Sequence, residues 1–194
     1  MANEFNGLGL TERAGLPEAL RVLLAEYPRT GWAAHANFQG TVAFWLDRHM
    51  MFRKLSDHLR EDAEAMLDGR MDAGAYAGRM ARLAEMLVSQ LHGHHQIEDQ
   101  HYFPVLQRQD SRVARGFEIL DRDHHDLDGL LERFVGAANG ALHKVDDDPE
   151  FRGAVGAFHE TVVGFDGFLR RHLTDEEELV VPVILRYGAA ALPH

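Results

Sequence analysis

A histidine followed four residues later by a glutamate occurs twice in the chain. The pairs are His94 with Glu98 and His172 with Glu176, and a proline follows each glutamate by six residues. In an α-helix, residues i and i+4 lie about 40° apart on one face. An imidazole and a carboxylate at this spacing can bind the same metal ion, and the duplication indicates that the two pairs act together.

A lone histidine precedes each pair by a similar distance. His49 stands 45 residues before His94, and His124 stands 48 residues before His172. Aligning the two lone histidines also aligns apolar residues three and six positions later. His125 is the alternative to His124, and a leucine at core spacing favours His124. Two such helix pairs, packed up-down-up-down, place four imidazoles and two carboxylates inside a bundle.

The donor set limits the metal chemistry. Nitrogen and oxygen donors, with carboxylates able to bridge, suit a pair of iron or manganese ions and disfavour copper(I). The chain has 13 histidines and no cysteine, which excludes disulfides, thiolate zinc sites and iron–sulfur clusters. A metal-free bundle with surface histidines is the plainer alternative.

Charge and composition exclude other classes of partner. Among 194 residues, 20 are Lys or Arg and 31 are Asp or Glu, which gives a net charge of −11 without any basic block. This balance argues against nucleic acid and anionic membranes as partners. The N-terminus lacks the pattern of a signal peptide, and no apolar run is long enough to span a membrane. We therefore expect a cytoplasmic protein.

Helical periodicity extends through most of the chain, and strand patterns are absent. Long helices are predicted at about 37–67, 72–104, 111–139 and 148–173, with a short helix between Pro17 and Pro28. The predicted end signals are Asp68-Gly69 and Asn139-Gly140, and the predicted N-caps are Asp72 and Asp148.

These helices predict an all-α protein, an up-down-up-down four-helix bundle in one domain. We expect an N-terminal extension at 1–36, the bundle at 37–188 and a tail at 189–194. The polar, glycine-bearing residues 1–15 are expected to be mobile.

Polar neighbours of the candidate ligands are assigned outer positions. His95 points about 100° away from His94 and is expected at the rim or behind the ligands. Asp99 and Glu177 lie five residues after their histidines, so we expect them to be solvated or to support the ligands from behind. Glu177 remains an alternative ligand to Glu176.

The order of a lone His, His-His-x-x-Glu, a second lone His and His-x-x-x-Glu resembles the hemerythrin-like (HHE cation-binding) domain over residues from about 40 to 185. The resemblance implies a non-haem di-iron centre in a four-helix bundle. It assigns as terminal ligands His49, His94, His124 and His172, and as bridging carboxylates Glu98 and Glu176. The remaining bridge would be water, hydroxide or oxo, and manganese or zinc could replace iron.

Two departures from relatives of this kind bear on function. Oxygen-carrying hemerythrins have a further histidine four residues after the lone histidine of the third helix, where this chain has Asp128. The missing imidazole argues against reversible dioxygen carriage. The spacings also resemble di-iron proteins that repair nitrosatively damaged iron–sulfur clusters, but those proteins carry a cysteine-bearing module that this sequence lacks.

The leading hypothesis is a di-iron protein that binds or reacts with dioxygen, nitric oxide or peroxide in sensing, storage or stress defence. No inward side chain resembles a general acid or a nucleophile, so the metals would carry the chemistry. The alternative is an iron-responsive sensor in which metal controls fold and partner binding without turnover. A second copy or a protein partner would then dock on the N-terminal extension, which carries the Leu16–Leu24 stripe, Trp32 and His35.

Overall fold

The computed structural model describes residues 7–38, 40–145, 150–189 and 192. These residues form helices, turns and bends without a strand, which confirms the predicted all-α bundle. In chain order, the α-helices are α1 (Val22–Glu26), α2 (Thr41–Leu67), α3 (Ala73–Ile97), α4 (Phe103–Leu106), α5 (Ala114–Leu142) and α6 (Phe151–Tyr187). The other helical turns are the 3₁₀ turns Glu18–Leu20, Arg29–Ala34 and Ala36–Phe38 and the π-helical turn Glu98–Tyr102.

The turn between α2 and α3 forms as the sequence predicts. Gly69 has a φ of 72° and donates its backbone N–H to Met66, so it ends α2 in the left-handed conformation that glycine tolerates. The side chain of Asp72 accepts a hydrogen bond from the backbone N–H of Ala75 at 2.9 Å. Asp72 is therefore the N-cap of α3.

Two of the long helices extend beyond their predicted ends. α5 passes Asn139-Gly140 and ends at Leu142, because buried Ala141 continues the stripe of buried residues. α6 continues to Tyr187 with Pro182 inside it. Its residues 179–181 and 183–185 are all buried, and this packing offsets the hydrogen bond that a proline cannot donate. The predicted N-cap at Asp148 lies outside the described residues.

The N-terminal helix is present only in part. A 3₁₀ turn and α1 replace one continuous helix, and Arg21 between them has φ −111° and ψ 32°. Leu16 and Leu23, which belong to the predicted apolar stripe, are both buried. They pack in one core with Trp32 and the C-terminal end of α6.

The chain divides into two compact units. Unit 1 comprises residues 1–49, 94–126 and 170–194, and unit 2 comprises residues 50–93 and 127–169. In chain order, α2 and α5 run from unit 1 into unit 2, and α3 and α6 run from unit 2 into unit 1. All the residues predicted to bind metal belong to unit 1.

Each unit has its own core. The core of unit 1 combines the N-terminal segment with α4, the first part of α5 and the end of α6. In unit 2, the ring of Phe134 lies 5.3 Å from that of Phe158 and 5.5 Å from that of Phe165. Within the described ranges, no helix has the length and hydropathy needed to cross a membrane.

Candidate metal centre

Histidines and glutamates converge in unit 1 as two groups, and within each group the potential ligand atoms lie within 4.8 Å of one another. Group 1 consists of His49, His94, Glu98 and Glu176, and group 2 consists of His95, His124 and His172. The structure thus brings together all the residues predicted to bind metal and adds His95. Their roles as ligands stay predictions.

The imidazoles face each other in pairs. The Nε2 atoms of His49 and His94 lie 3.0 Å apart, and those of His124 and His172 lie 3.2 Å apart. Nδ1 of His49, His124 and His172 contacts a carboxylate, so Nδ1 carries the proton in these rings. A neutral imidazole has one N–H, so Nε2 of each ring directs a lone pair into the site. In group 2, two lone pairs face each other with no proton between them.

Burial lowers the pKa values of His49, His95 and His172, which favours their neutral forms. It lowers the pKa of His49 to about 4 and holds the pKa of His172 below its ordinary value. The pKa of His95 lies well below the ordinary range because of burial and the neighbouring His124. Binding a proton between the facing rings is therefore unfavourable at neutral pH. Binding a metal ion is more favourable, because metals bind imidazole in its neutral form.

Glu98 directs one oxygen toward each group. Its Oε1 lies 3.0 Å from Nε2 of His94, and its Oε2 lies 3.8 Å from Nε2 of His124. The indole N–H of Trp45 donates to Oε1 at 2.5 Å, and the Trp45 ring lies 4.0 Å from that of His49. Trp45 was not among the predicted site residues, although its position four residues before His49 places both on one helix face.

Glu176 also lies between the groups. Its Oε2 is 3.4 Å from Nε2 of His49 and 3.5 Å from Nε2 of His172. Neither of its oxygens has a hydrogen-bond partner in the described part of the chain. Burial and the charge of Glu98 raise the pKa of Glu176 well above its usual range. Buried oxygens without a donor are costly, and a cation between the groups would remove that cost.

His95 is buried in the site, so the expectation that it lies at the rim is wrong. It is 4% exposed, and its ring stacks on that of His124 with centroids 4.0 Å apart and planes 9° apart. Neither ring nitrogen has a hydrogen-bond partner among the described residues. Adjacent helical residues lie about 100° apart, so His94 and His95 reach different groups from the broad inward face of α3.

The sequence does carry a signal for His95. Buried positions of α3 and the turn after it fall at Leu87, Leu91, His95 and Glu98, which are four, four and three residues apart. His95 therefore continues the apolar stripe at helical spacing. The duplicated His-x-x-x-Glu motif predicts His94, and not His95, as a ligand.

Carboxylates lie behind three of the histidines and accept hydrogen bonds from Nδ1. The contacts are His49 to Glu177 at 3.1 Å, His124 to Asp99 at 2.6 Å and His172 to Asp123 at 3.3 Å. Such contacts orient an imidazole and raise its basicity as a ligand. Asp99 and Glu177 thus lie behind candidate ligands, which is one of the two positions expected for them, whereas Asp123 was not predicted.

The π-helical turn after α3 contributes to this arrangement. It begins at Glu98, and the backbone N–H of Phe103 donates to the carbonyl of Glu98, five residues back. A π-helical turn holds more residues than an α-helical one and is frequent at functional sites. Here it contains both Glu98 and Asp99, the acceptor of the hydrogen bond from His124.

Two arginines of the N-terminal segment lie behind the outer carboxylates. Arg13 forms ion pairs with Asp123 and Asp175, and Nη1 of Arg29 lies 2.6 Å from Oε2 of Glu177. Residues 1–15 were expected to be mobile, yet the Arg13 side chain is only 2% exposed; residues 1–6 lie outside the described residues. No sequence signal identifies these arginines, because their partners stand 110 to 162 residues away.

Other histidines lie outside the two groups. His125, the alternative to His124, is exposed and donates from Nδ1 to the carbonyl of Asp121 at 2.9 Å. His92 and His101 are exposed as well. Asp128, which stands where oxygen carriers have a histidine, is also exposed.

These features define a helical-bundle protein with a buried centre of imidazoles and carboxylates whose unpaired lone pairs fit a cation. The model of one family, the hemerythrin HHE cation-binding domain, matches residues 40–184. The chain therefore belongs to this family, as its motifs indicate. Comparisons with curated proteins and with solved structures gave no match. The predicted bundle boundaries at 37 and 188 stay predictions.

Proposed function

We propose that the protein holds two iron ions in this centre and binds or reacts with a small oxidant such as dioxygen, nitric oxide or peroxide. The observation that carries the proposal is the convergence of imidazole Nε2 atoms on Oε2 of Glu98 and both oxygens of Glu176, for which the described residues provide no hydrogen-bond partner. Removing such groups from water is costly unless a cation binds them. Membership of a cation-binding family supports the same conclusion.

The charges favour two cations over one. Six carboxylates belong to the centre or lie directly behind it: Glu98, Asp99, Asp123, Asp175, Glu176 and Glu177. When all are ionised, the guanidiniums of Arg13 and Arg29 leave four negative charges. Two divalent cations would neutralise them, and two groups of donors are present to bind them.

The chemistry of the donors favours iron or manganese, and the resemblance to a known family favours iron. The set combines imidazole nitrogens with carboxylate oxygens, which suit iron or manganese, and the sequence has no cysteine to favour softer metals. The resemblance to hemerythrin-like domains selects iron from these. Manganese and zinc remain the substitutes to measure in a purified sample.

His95 changes the expected distribution of ligands. Group 1 would provide two imidazoles and group 2 would provide three, and Glu98 and Glu176 lie between the groups. Oxygen carriers have a histidine where this chain has Asp128. His95 would provide a fifth imidazole in its place, so the donor set is compatible with dioxygen binding. Iron bound here would supply reducing equivalents and bind the oxidant.

The side chains around the centre control protons and water. Trp45 donates to Oε1 of Glu98 and leaves Oε2 for the centre. The raised pKa of Glu176 favours its protonated form in the metal-free protein, and cation binding favours the carboxylate. Both glutamates are essentially inaccessible to solvent, which keeps bulk water from the reacting groups.

Iron loading of the purified chain tests the proposal. We expect about two ferrous ions per chain after anaerobic loading, and a charge-transfer band that develops with dioxygen, peroxide or nitric oxide. His95→Ala should lower the iron content toward one ion per chain. His125→Ala is the matched control, since it removes an exposed histidine from the neighbourhood of His124 and should leave both ions bound. Absence of stoichiometric iron in the unaltered protein would refute the proposal.

A second candidate is an iron-responsive sensor that changes a partner contact without turnover. The observation that favours it is the contact of N-terminal arginines with the carboxylates behind His172 and His49. Metal removal should then increase protease cleavage within residues 7–38, while the iron-loaded protein consumes no oxidant. The apolar residues expected to bind a partner, Leu16 and Trp32 among them, are buried in unit 1, so a partner would use other residues of the segment.

A further inference from the structure

Arg13 is a buried cation that connects the N-terminal segment to group 2. Its guanidinium contacts both oxygens of Asp123, and its Nε donates to Oδ2 of Asp175 at 2.9 Å. Asp123 in turn accepts a hydrogen bond from Nδ1 of His172. The side chains of Arg13, Asp123 and Asp175 are each 2% exposed, so water does not replace these contacts.

The backbone around Arg13 is fixed to the same helices. The N–H of Leu16 donates to Oδ1 of Asp175 at 2.9 Å, and the side chain of Arg171 donates to the carbonyl of Arg13 at 3.1 Å. Arg13 itself donates to the carbonyl of Leu8 at 2.8 Å. These bonds hold the guanidinium in one orientation, so that it fixes Asp123.

Arg29 makes the corresponding contact behind group 1. Its Nη1 donates to Oε2 of Glu177 at 2.6 Å, while Oε1 of Glu177 accepts from Nδ1 of His49 at 3.1 Å. The guanidinium lies over the ring of Trp32, 4.7 Å from its centroid, which holds it in place. One arginine thus stands behind each group, and both precede the family-matched residues 40–184.

We infer that Arg13 and Arg29 are positioning residues of the metal centre, so that the N-terminal segment completes a site which the family domain contains only in part. The inference rests on the proposed metal binding. Each arginine fixes the carboxylate that orients one imidazole, so Nε2 of His172 and of His49 stays directed at the metal. Because Arg binds a carboxylate through two parallel N–H groups, lysine would restore the charge and only part of the orientation.

Metal titration of the full chain separates positioning from simple stability. Arg13→Gln and Arg29→Gln should each weaken ferrous iron binding by roughly 10- to 100-fold in competition with a chelator. They should also reduce the increase in Tm that iron produces. Arg13→Lys should recover part of the affinity. Arg79→Gln is the matched control, because Arg79 pairs with Asp62 in unit 2 and its loss should leave iron affinity unchanged.

The outcomes are distinguishable. If the unaltered protein binds iron and the arginine variants bind it equally well, with the same charge-transfer spectrum and the same Tm increase, the positioning role is refuted and the proposed function stands. If the unaltered protein binds no iron, both fail. If Arg13→Gln does not fold, half-exposed Arg29 decides the result, and unchanged affinity in Arg29→Gln overturns the inference.

Discussion

The carboxylates behind His49, His124 and His172 determine which nitrogen of each ring faces the metal centre. Glu177 accepts from Nδ1 of His49 and receives a hydrogen bond from Arg29 on its other oxygen. It therefore holds His49 in the tautomer whose Nε2 is unprotonated. Loss of the carboxylate charge would leave the ring less firmly oriented and less basic.

Glu177→Gln should weaken metal binding without removing a ligand. We expect a roughly 10-fold or greater loss of ferrous iron affinity, because the amide accepts a weaker hydrogen bond than the carboxylate. Competition with a chelator measures the change. Glu160→Gln is the control on the same helix, since Glu160 is exposed and belongs to unit 2. Equal affinity in both variants would contradict a role for Glu177 in orienting His49.

The sequence predicted the residues that belong to a repeated motif and missed those that do not. His49 and His124 were found because the two halves of the chain align. His95 was expected at the rim or behind the ligands because it points about 100° away from His94, although the helix faces two groups. Arg13 was beyond prediction, since its contact with Asp123 depends on tertiary packing across 110 residues.

Helix positions were predicted more accurately than helix ends. Asp72 and Gly69 mark their boundaries through local hydrogen bonds that the sequence encodes directly. The end of α6 depends on distant packing, because the core of unit 1 surrounds its last turns and carries the helix past Pro182. The same packing brings the side chain of Leu179 on α6 against Gly116 on α5.

Gly116 is required by the close approach of α6 to α5. A Cβ atom there would lie 2.8 Å from Cδ2 and 2.9 Å from Cδ1 of buried Leu179. Gly116→Ala should therefore lower the free energy of unfolding by about 1–2 kcal/mol, since the strain exceeds the gain in helix propensity. Gly136→Ala on the same helix should instead raise it by about 0.5–1 kcal/mol, because nothing lies within 4 Å of its Cβ. Urea unfolding measures both, and equal effects would contradict the packing argument.

In the whole molecule, the buried titratable groups couple folding to pH and to metal. Burial lowers the pKa of His49 to about 4 from an ordinary 6.5, and it lowers those of His95 and His172 too. Between these values the unfolded chain binds more protons than the folded one, so stability falls as the pH drops through this window. Glu176 acts in the opposite direction, because its raised pKa favours the folded state at low pH. On acidification, three imidazoles destabilise the folded state and one carboxyl stabilises it, so the free energy of unfolding falls overall.

The metal-free protein should therefore lose stability as the pH falls from about 6.5 toward 4, with His49 alone contributing about 3 kcal/mol over the full window. Metal binding needs neutral imidazoles and an ionised Glu176, so it releases protons and weakens on acidification. The difference in Tm between iron-loaded and metal-free protein should then narrow over the same range. Thermal unfolding of both forms at a series of pH values measures this, with His58→Ala, which removes an exposed histidine, as a control that should keep the wild-type slope. A difference that widens at low pH would show that imidazoles do not bind the metal.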